Sequence, residues 1–305
     1  MHVMLGVAPI AWTNSDLPEL GGDISLETCL AESRRAGFTG TETGVKFPMD
    51  SAALGPILRH YQLALVSGWF SGRLLENDVE TEMGRMAEHL DVFKTLRAPV
   101  LVYAETVGSV QTDQGTPVSR RPKLSDDDIT AYGAKLTELA RRMAQVGVAM
   151  TYHHHMGTVI ESAHDVDRLM AATGPEVGLL LDTGHLTFAG EDPIAVTRKH
   201  ASRINHVHCK DIRPLILDRV RDQDMSFLDA VLAGVFTVPG DGFIDFGAFA
   251  KTLYKAGYQG WVVVEAEQDP AKAPPFEYSR IGCEHLDSVF RAAGYAIEDP
   301  ILPED

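Results

Sequence analysis

Val148-Ala149-Met150-Thr151-Tyr152-His153-His154-His155-Met156-Gly157-Thr158 sets an apolar run against three adjacent histidines. It reads as a buried strand that meets solvent at its C-terminal end. Neighbouring side chains on a strand point to opposite faces, so His153 and His155 share one face and His154 takes the other. At most two of the three can serve one site, and a metal suits such a place. A polar loop with a chance histidine cluster is the alternative, and the rest of the chain decides between them.

Outward from this strand, short runs rich in Val, Leu and Ile alternate with stretches of helical periodicity, the mark of βα units around a parallel sheet. Eight strand candidates emerge, at 4–10, 40–43, 63–68, 100–104, 148–153, 177–182, 204–208 and 261–265. Helices are expected over 26–36, 79–95, 127–145, 163–172 and 246–256. Gly37, Gly147, Gly174 and Gly257 follow helices where a left-handed cap is expected. Eight such units predict a closed (β/α)8 TIM barrel, with the active site at the C-terminal ends of the strands. An open doubly wound sheet fits less well, because no strand is followed by a Gly-rich phosphate turn. Residues 213–239, with an amphipathic piece at 227–232, read as an excursion over the mouth between strand 7 and helix 7, a lid or an oligomer contact. A C-terminal helix over 276–292 wraps the outside, and residues 1–305 form one barrel domain.

The 305 residues are comfortable for one such barrel, and the 45% hydrophobic fraction is that of a globular protein without a membrane span. The first residues lack the pattern of a secretory signal, so the cytoplasm is the expected compartment. Three widely spaced cysteines, Cys29, Cys209 and Cys283, suit reduced thiols rather than a disulfide framework. A formal charge of -16 leaves no basic surface for a phosphate backbone, which excludes nucleic acid as the expected partner and favours a small polyhydroxylated substrate.

Metal-competent residues recur at the strand ends: Glu42, His153 and His155, Asp182 with His185, His206 and His208, Glu265 and Glu267. In a barrel these ends converge on one mouth. Asp182 follows an apolar strand, with Gly184 allowing a sharp turn to His185; it is either a ligand or a helix cap. His206, His208 and Lys210 share one parity, and His208 is the better ligand. Lys210 either reaches over the site as an acid or oxyanion partner, or pairs with Asp211 at the rim. Of Glu265 and Glu267, one binds metal and the other orients substrate or acts as base. Imidazole with carboxylate favours Mn²⁺, Co²⁺ or Zn²⁺ over Ca²⁺.

With these strand-end motifs, the segments Gly6 to Asn14, Leu17 to Gly21, Gly37 to Gly44, Tyr152 to Thr158, Leu181 to His185 and Glu265 to Pro270 make the chain resemble the xylose-isomerase-like barrels. More narrowly it is similar to the myo-inosose-2 dehydratases of inositol catabolism. The resemblance implies a metal-dependent lyase acting on a polyhydroxylated cyclic ketone (2-keto-myo-inositol), with Mn²⁺ or Co²⁺ ahead of Zn²⁺. It implies Asp182, His208 and Glu265 as ligands. At strand five His153 stands where most relatives place a glutamate, and His155 or water is the alternative fourth ligand. The resemblance further suggests glutathione as a cofactor, although no residue here reveals a thiol site, and it leaves a homo-oligomer open.

Dehydration of such a ketone needs a Lewis acid, a base for the α-proton and an acid for the departing hydroxyl. Glu267 or Glu42 is the expected base, and His185 or Lys210 the expected acid. Trp12 and Asn14 resemble substrate-contacting positions, the indole offering an apolar face and the amide reading hydroxyls, with ordinary packing as the alternative for Trp12. His155 is the other expected substrate contact. A sugar isomerase or epimerase would use the same metal. An endonuclease of this fold would want a basic surface that the chain lacks, and a non-catalytic sugar-binding protein would hold no functional metal.

Overall fold

The expected first strand forms as β1 (His2–Val7) and gives way to a short 3-10 turn where Pro9 has no N–H for the ladder. The structure, a computed structural model, describes residues 1–302; the single domain expected over 1–305 includes 303–305, which lie outside the described residues. After β1 come α1 (Leu26–Arg35), β2 (Gly40–Thr41), α2 (Ser51–His60), β3 (Ala64–Leu65), β4 (Trp69–Gly72), α3 (Val79–Arg85), α4 (Ala87–Thr95), β5 (Val100–Glu105) and α5 (Asp126–Val146). Then follow β6 (Ala149–His153), α6 (Ala163–Ala172), β7 (Val177–Asp182), α7 (Thr183–Phe188), α8 (Pro193–His200) and β8 (Ile204–Cys209). The last stretch holds β9 (Asp211–Ile212), α9 (Pro214–Asp222), α10 (Phe227–Leu232), β10 (Phe236–Thr237), α11 (Phe246–Ala256), β11 (Gly260–Val264), α12 (Pro275–Ala293) and β12 (Ala296–Ile297).

The main sheet runs β3-β2-β1-β11-β8-β7-β6-β5-β4, with β12 added beside β1. Its pairs are parallel. β3 and β4 are halves of one barrel strand: Val66 N–H reaches Thr41 O at 2.9 Å before the break, and Val102 N–H reaches Gly68 O at 3.0 Å after it. Joined in this way they close the predicted eight-position barrel. Gly68 makes the break possible, because a β-carbon there would fall 1.9 Å from Thr43 Oγ1.

Two sequence expectations about the helices need correction. The helix expected over 79–95 is divided at Met86, whose φ and ψ of -93° and 3° leave the helical basin. Gly37, Gly147 and Gly257 take the left-handed conformation at φ 109°, 97° and 77°, but Gly174 does not; α6 ends in extended Thr173 instead.

Alternation along the strands divides the core. Met150, Tyr152, Leu179, Leu181, Val207, Val262 and Val264 face the surrounding helices. Inside the barrel Ala8, Val66, Trp261 and Val263 form a separate apolar floor. Above that floor the inward positions become polar, and the expected site residues stand there. The excursion is a packed layer: β9 pairs antiparallel with β10, and α9 and α10 fill a second apolar cluster around Phe227 and Phe236. Among the described residues no helix is long and apolar enough to cross a membrane, and the three cysteines are buried and unpaired.

Candidate active site

Four of the expected residues meet at the top of the barrel interior. His153 ends β6, Asp182 ends β7, His208 lies near the end of β8 and Glu265 follows β11; each offers an atom within 4.8 Å of the others. His153 Nε2 and His208 Nδ1 lie 3.6 and 3.7 Å from Asp182 Oδ2. His208 Nδ1 is also 2.7 Å from Glu265 Oε2. Asp182 Oδ2, His208 Nδ1 and Glu265 Oε2 are all buried; Asp182 Oδ2 has no hydrogen-bond partner, and His208 Nδ1 and Glu265 Oε2 face each other without an aligned hydrogen bond. Buried ligand atoms crowded at one point, with a carboxylate oxygen of Asp182 left without a donor, are what a cation site requires. Two imidazoles with two carboxylates fit a borderline divalent ion. Burial, reinforced by His208 and His155, holds His153 well below the ordinary imidazole range, so it is the neutral form that can ligate.

Asp182 combines the two roles that the sequence leaves open. Its Oδ1 caps α7 by accepting His185 N–H at 2.8 Å, while Oδ2 remains for the cluster. His154, on the opposite face as expected, accepts Asp182 N–H at 3.3 Å. Gly184 lies within α7 rather than at a sharp turn; a β-carbon there would sit 2.6 Å from Lys210 Cγ, so glycine leaves room for the lysine.

Lys210 is fully buried. Its Nζ stands 3.3 Å from Glu265 Oε2, 3.5 Å from Glu267 Oε2 and 3.9 Å from Asp182 Oδ2, and 3.1 Å from His185 Nε2. Burial works against its charge, but Glu265, Glu267 and Asp182 outweigh that and raise it above the ordinary ammonium range. The rim pair with Asp211 does not form, because Asp211 accepts backbone N–H groups of Ile212, Gly240, Gly242 and Ile244.

A cavity of about 610 Å³ opens above the cluster, lined by His153, His155, His208, Glu265 and Glu267. His185, an expected acid, is not on its wall. It lies behind His155 at a ring distance of 3.9 Å, with Phe236 at 5.4 Å, and burial holds it well below the ordinary imidazole range. Lys210 is likewise behind the wall. Glu42 lines the cavity, but its Oε1 already accepts from His206 Nε2 and His208 Nε2, each at 2.9 Å, and from Ser67 Oγ. A carboxylate so engaged is a poor general base.

Trp12 and Asn14 do not reach the cavity. The short turn after β1 carries Trp12 into the core, where its Nε1–H donates to Glu32 Oε2 at 2.7 Å. Asn14 Oδ1 accepts Asp16 N–H at 2.8 Å and Leu17 N–H at 2.9 Å, a local turn. The aromatic wall is Trp69 instead, edge-on to His153 at 5.7 Å and His155 at 5.5 Å. Its signal was the aromatic directly after Gly68. Phe227 and Phe236, which pack on His155 and Lys210, lie in the segment read as an excursion over the mouth, although nothing in the sequence tells which site residues they meet.

Residues 30–289 match the family described as Xylose isomerase-like TIM barrel. The chain is 50% identical to the rhizopine catabolism protein MocC of Rhizobium meliloti, over 97% of this chain and 91% of that one. It is 47% identical to the inosose dehydratase of Geobacillus thermodenitrificans, over 91% and 94%. Among solved structures it matches the probable 3-DHS dehydratase AsbF of Bacillus anthracis at 14% identity and a TM-score of 0.69, covering 93% and 98% of the two chains. The IOLI protein, solved with a bound zinc atom, matches at 18% identity and 0.66, covering 95% and 99%. The chain therefore belongs to the xylose isomerase-like TIM barrel family, in the branch of the inosose dehydratases.

Proposed function

We propose that this chain is a hydro-lyase that removes water from an inosose, 2-keto-myo-inositol, to give the trihydroxycyclohexane-dione in inositol catabolism. The observation that carries this is the cluster of buried ligand atoms at the mouth of a barrel 47% identical to an inosose dehydratase. His153, Asp182, His208 and Glu265 would hold Mn²⁺ or Co²⁺, with Zn²⁺ as the other fitting ion. Such an ion supplies a Lewis acid for the ketone oxygen.

The remaining work falls to two groups that face the cavity without being needed as ligands. His155 Nδ1 is 2.8 Å from Met156 O, which places its proton there and leaves the Nε2 lone pair free to take the α-proton. Glu267 lies 3.8 Å from that Nε2 through Oε1 and stands between Lys210 and the cavity through Oε2. Its carboxylate would relay a proton from the Lys210 ammonium to the departing hydroxyl, which leaves as water, and the α-proton held on His155 would return through the same carboxylate to restore Lys210. His185 supports both without meeting substrate.

The test is incubation with 2-keto-myo-inositol under Mn²⁺ or Co²⁺, following the dione's absorbance. Appearance of the dione with loss of water supports the assignment; a ketose or epimer in its place, or no product under either ion, rejects it.

A further inference from the structure

His206 is the one inward side chain of β8 that neither the metal cluster nor the cavity uses. It sits between the apolar floor and His208, 1% exposed, and its Nε2 points at Glu42 Oε1 at 2.9 Å. The same oxygen lies 2.9 Å from His208 Nε2 and accepts from Ser67 Oγ, which itself is 3.3 Å from His206 Nε2. Glu42 follows β2, Ser67 occupies the break between β3 and β4, and both histidines lie on β8, so three barrel strands converge on one carboxylate oxygen.

We propose that Glu42, braced by Ser67 and His206, is a positioning residue that fixes His208 with its proton on Nε2 and its Nδ1 lone pair aimed into the metal cluster. The proposal rests on the metal reading above. The two ring nitrogens of His208 are used oppositely: Nε2 donates to Glu42, whereas Nδ1 is buried among the other cluster residues, 2.7 Å from Glu265 Oε2 and 3.7 Å from Asp182 Oδ2. A carboxylate on the far nitrogen of a ligating imidazole selects its tautomer, fixes the ring plane and raises the basicity of the ligating nitrogen. Packing does not explain a glutamate here, since an isosteric neutral side chain would fill the space without the cost of a buried ion. Ser67 and His206 keep Glu42 from swinging out into the cavity that it borders.

The test pairs a spectroscopic signature with affinity. In the Zn²⁺-loaded wild-type protein, ¹⁵N NMR of His208 should show the proton on Nε2 and the metal on Nδ1. Glu42→Gln, which keeps shape but not charge, should weaken Co²⁺ binding about 10- to 100-fold and alter the visible Co²⁺ spectrum, with the circular dichroism unchanged. His206→Gln should weaken binding by less. Metal on Nε2 of His208, or wild-type Co²⁺ affinity in Glu42→Gln, overturns the proposal; if the variant does not fold, the wild-type spectrum decides alone. A wild-type protein that takes up neither ion sinks the metal reading itself, and this role with it.

Discussion

Asp182 accepts the backbone N–H of His185 at 2.8 Å through one carboxylate oxygen and leaves the other buried and unbonded beside His153 and His208. Cap and ligand are therefore separable by substitution. Asp182→Asn retains an amide oxygen that caps α7 and should fold with near wild-type stability while losing stoichiometric metal. Asp182→Ala should lose the metal and also about 0.5–2 kcal/mol of stability with the cap. Metal analysis with thermal unfolding of the metal-free proteins separates them. Equal stability of the two variants would refute the cap, and full metal content in either would refute the ligand.

His153 and His154 are adjacent and stacked at 5.8 Å, yet substitution should affect them in opposite ways. His153→Leu should abolish tight metal binding at little cost to the metal-free fold, because its Nδ1 has no partner to lose. His154→Leu strands the Asp182 N–H, which should cost about 1–3 kcal/mol while a metal ion is still taken up. Metal titration and urea unfolding of both variants give the answer; a shared phenotype contradicts the division of faces.

That division was legible because a strand's alternation is a property of its own sequence. Parity and an apolar run before the polar residue bring candidates to the ends of β6, β7, β8 and β11, but they leave His153 beside His155 and Glu265 beside Glu267, and only the family resemblance chooses between them. The sequence leaves Glu42 beside Glu267 as candidate base and His185 beside Lys210 as candidate acid, because nothing local reveals partners supplied by other elements. Glu42 is bonded to His208, 166 residues away, and His185 lies behind His155. Trp12 takes its packing alternative and Asn14 stays in a local turn, away from the cavity, for a different reason. Closeness to a strand end does not say which way the following turn leads, and the turn at Pro9–Ala11 leads into the core.

His155 and Glu267 should separate chemistry from metal binding. His155→Gln and Glu267→Gln should each lower kcat by about 10²- to 10⁴-fold with one metal ion still bound, the loss typical of a removed general acid or base. A stopped assay with metal content measured on the same sample is sufficient. If either variant turned over at the wild-type rate, its place in the proton transfers would be withdrawn.

Trp69 borders the cavity with its ring edge-on to His153 and His155, so it is placed to support a substrate ring without touching a proton. Trp69→Leu should raise KM about 2- to 10-fold, the scale of one aromatic contact, and leave kcat nearly unchanged. A fall in kcat with an unchanged KM would instead mean that the indole holds His155 in its working position.

Arg121 and Asp165 set the response to acid. Asp165 Oδ2 lies 2.6 Å from the Arg121 guanidinium and accepts Ser162 N–H at 3.0 Å and Ser162 Oγ–H at 2.8 Å. Burial raises this carboxyl, but the Ser162 hydrogen bonds and Arg121 outweigh it and hold the pKa below the ordinary aspartate value. A group lowered on folding contributes stability that is whole above its unfolded pKa, near 3.9, and is lost as pH falls through the folded value. Glu161, on the other side of Arg121, is raised by burial and works in the opposite sense, so the informative variant is Asp165→Asn. It should cost about 1–3 kcal/mol near pH 7, because Arg121 loses one of its two carboxylate partners and keeps Glu161. The penalty should shrink below pH 4, where the wild-type protein loses the same charge. Urea midpoints of both proteins from pH 3 to 7 measure this; a penalty that stayed constant across the range would show that the charge of Asp165 contributes nothing.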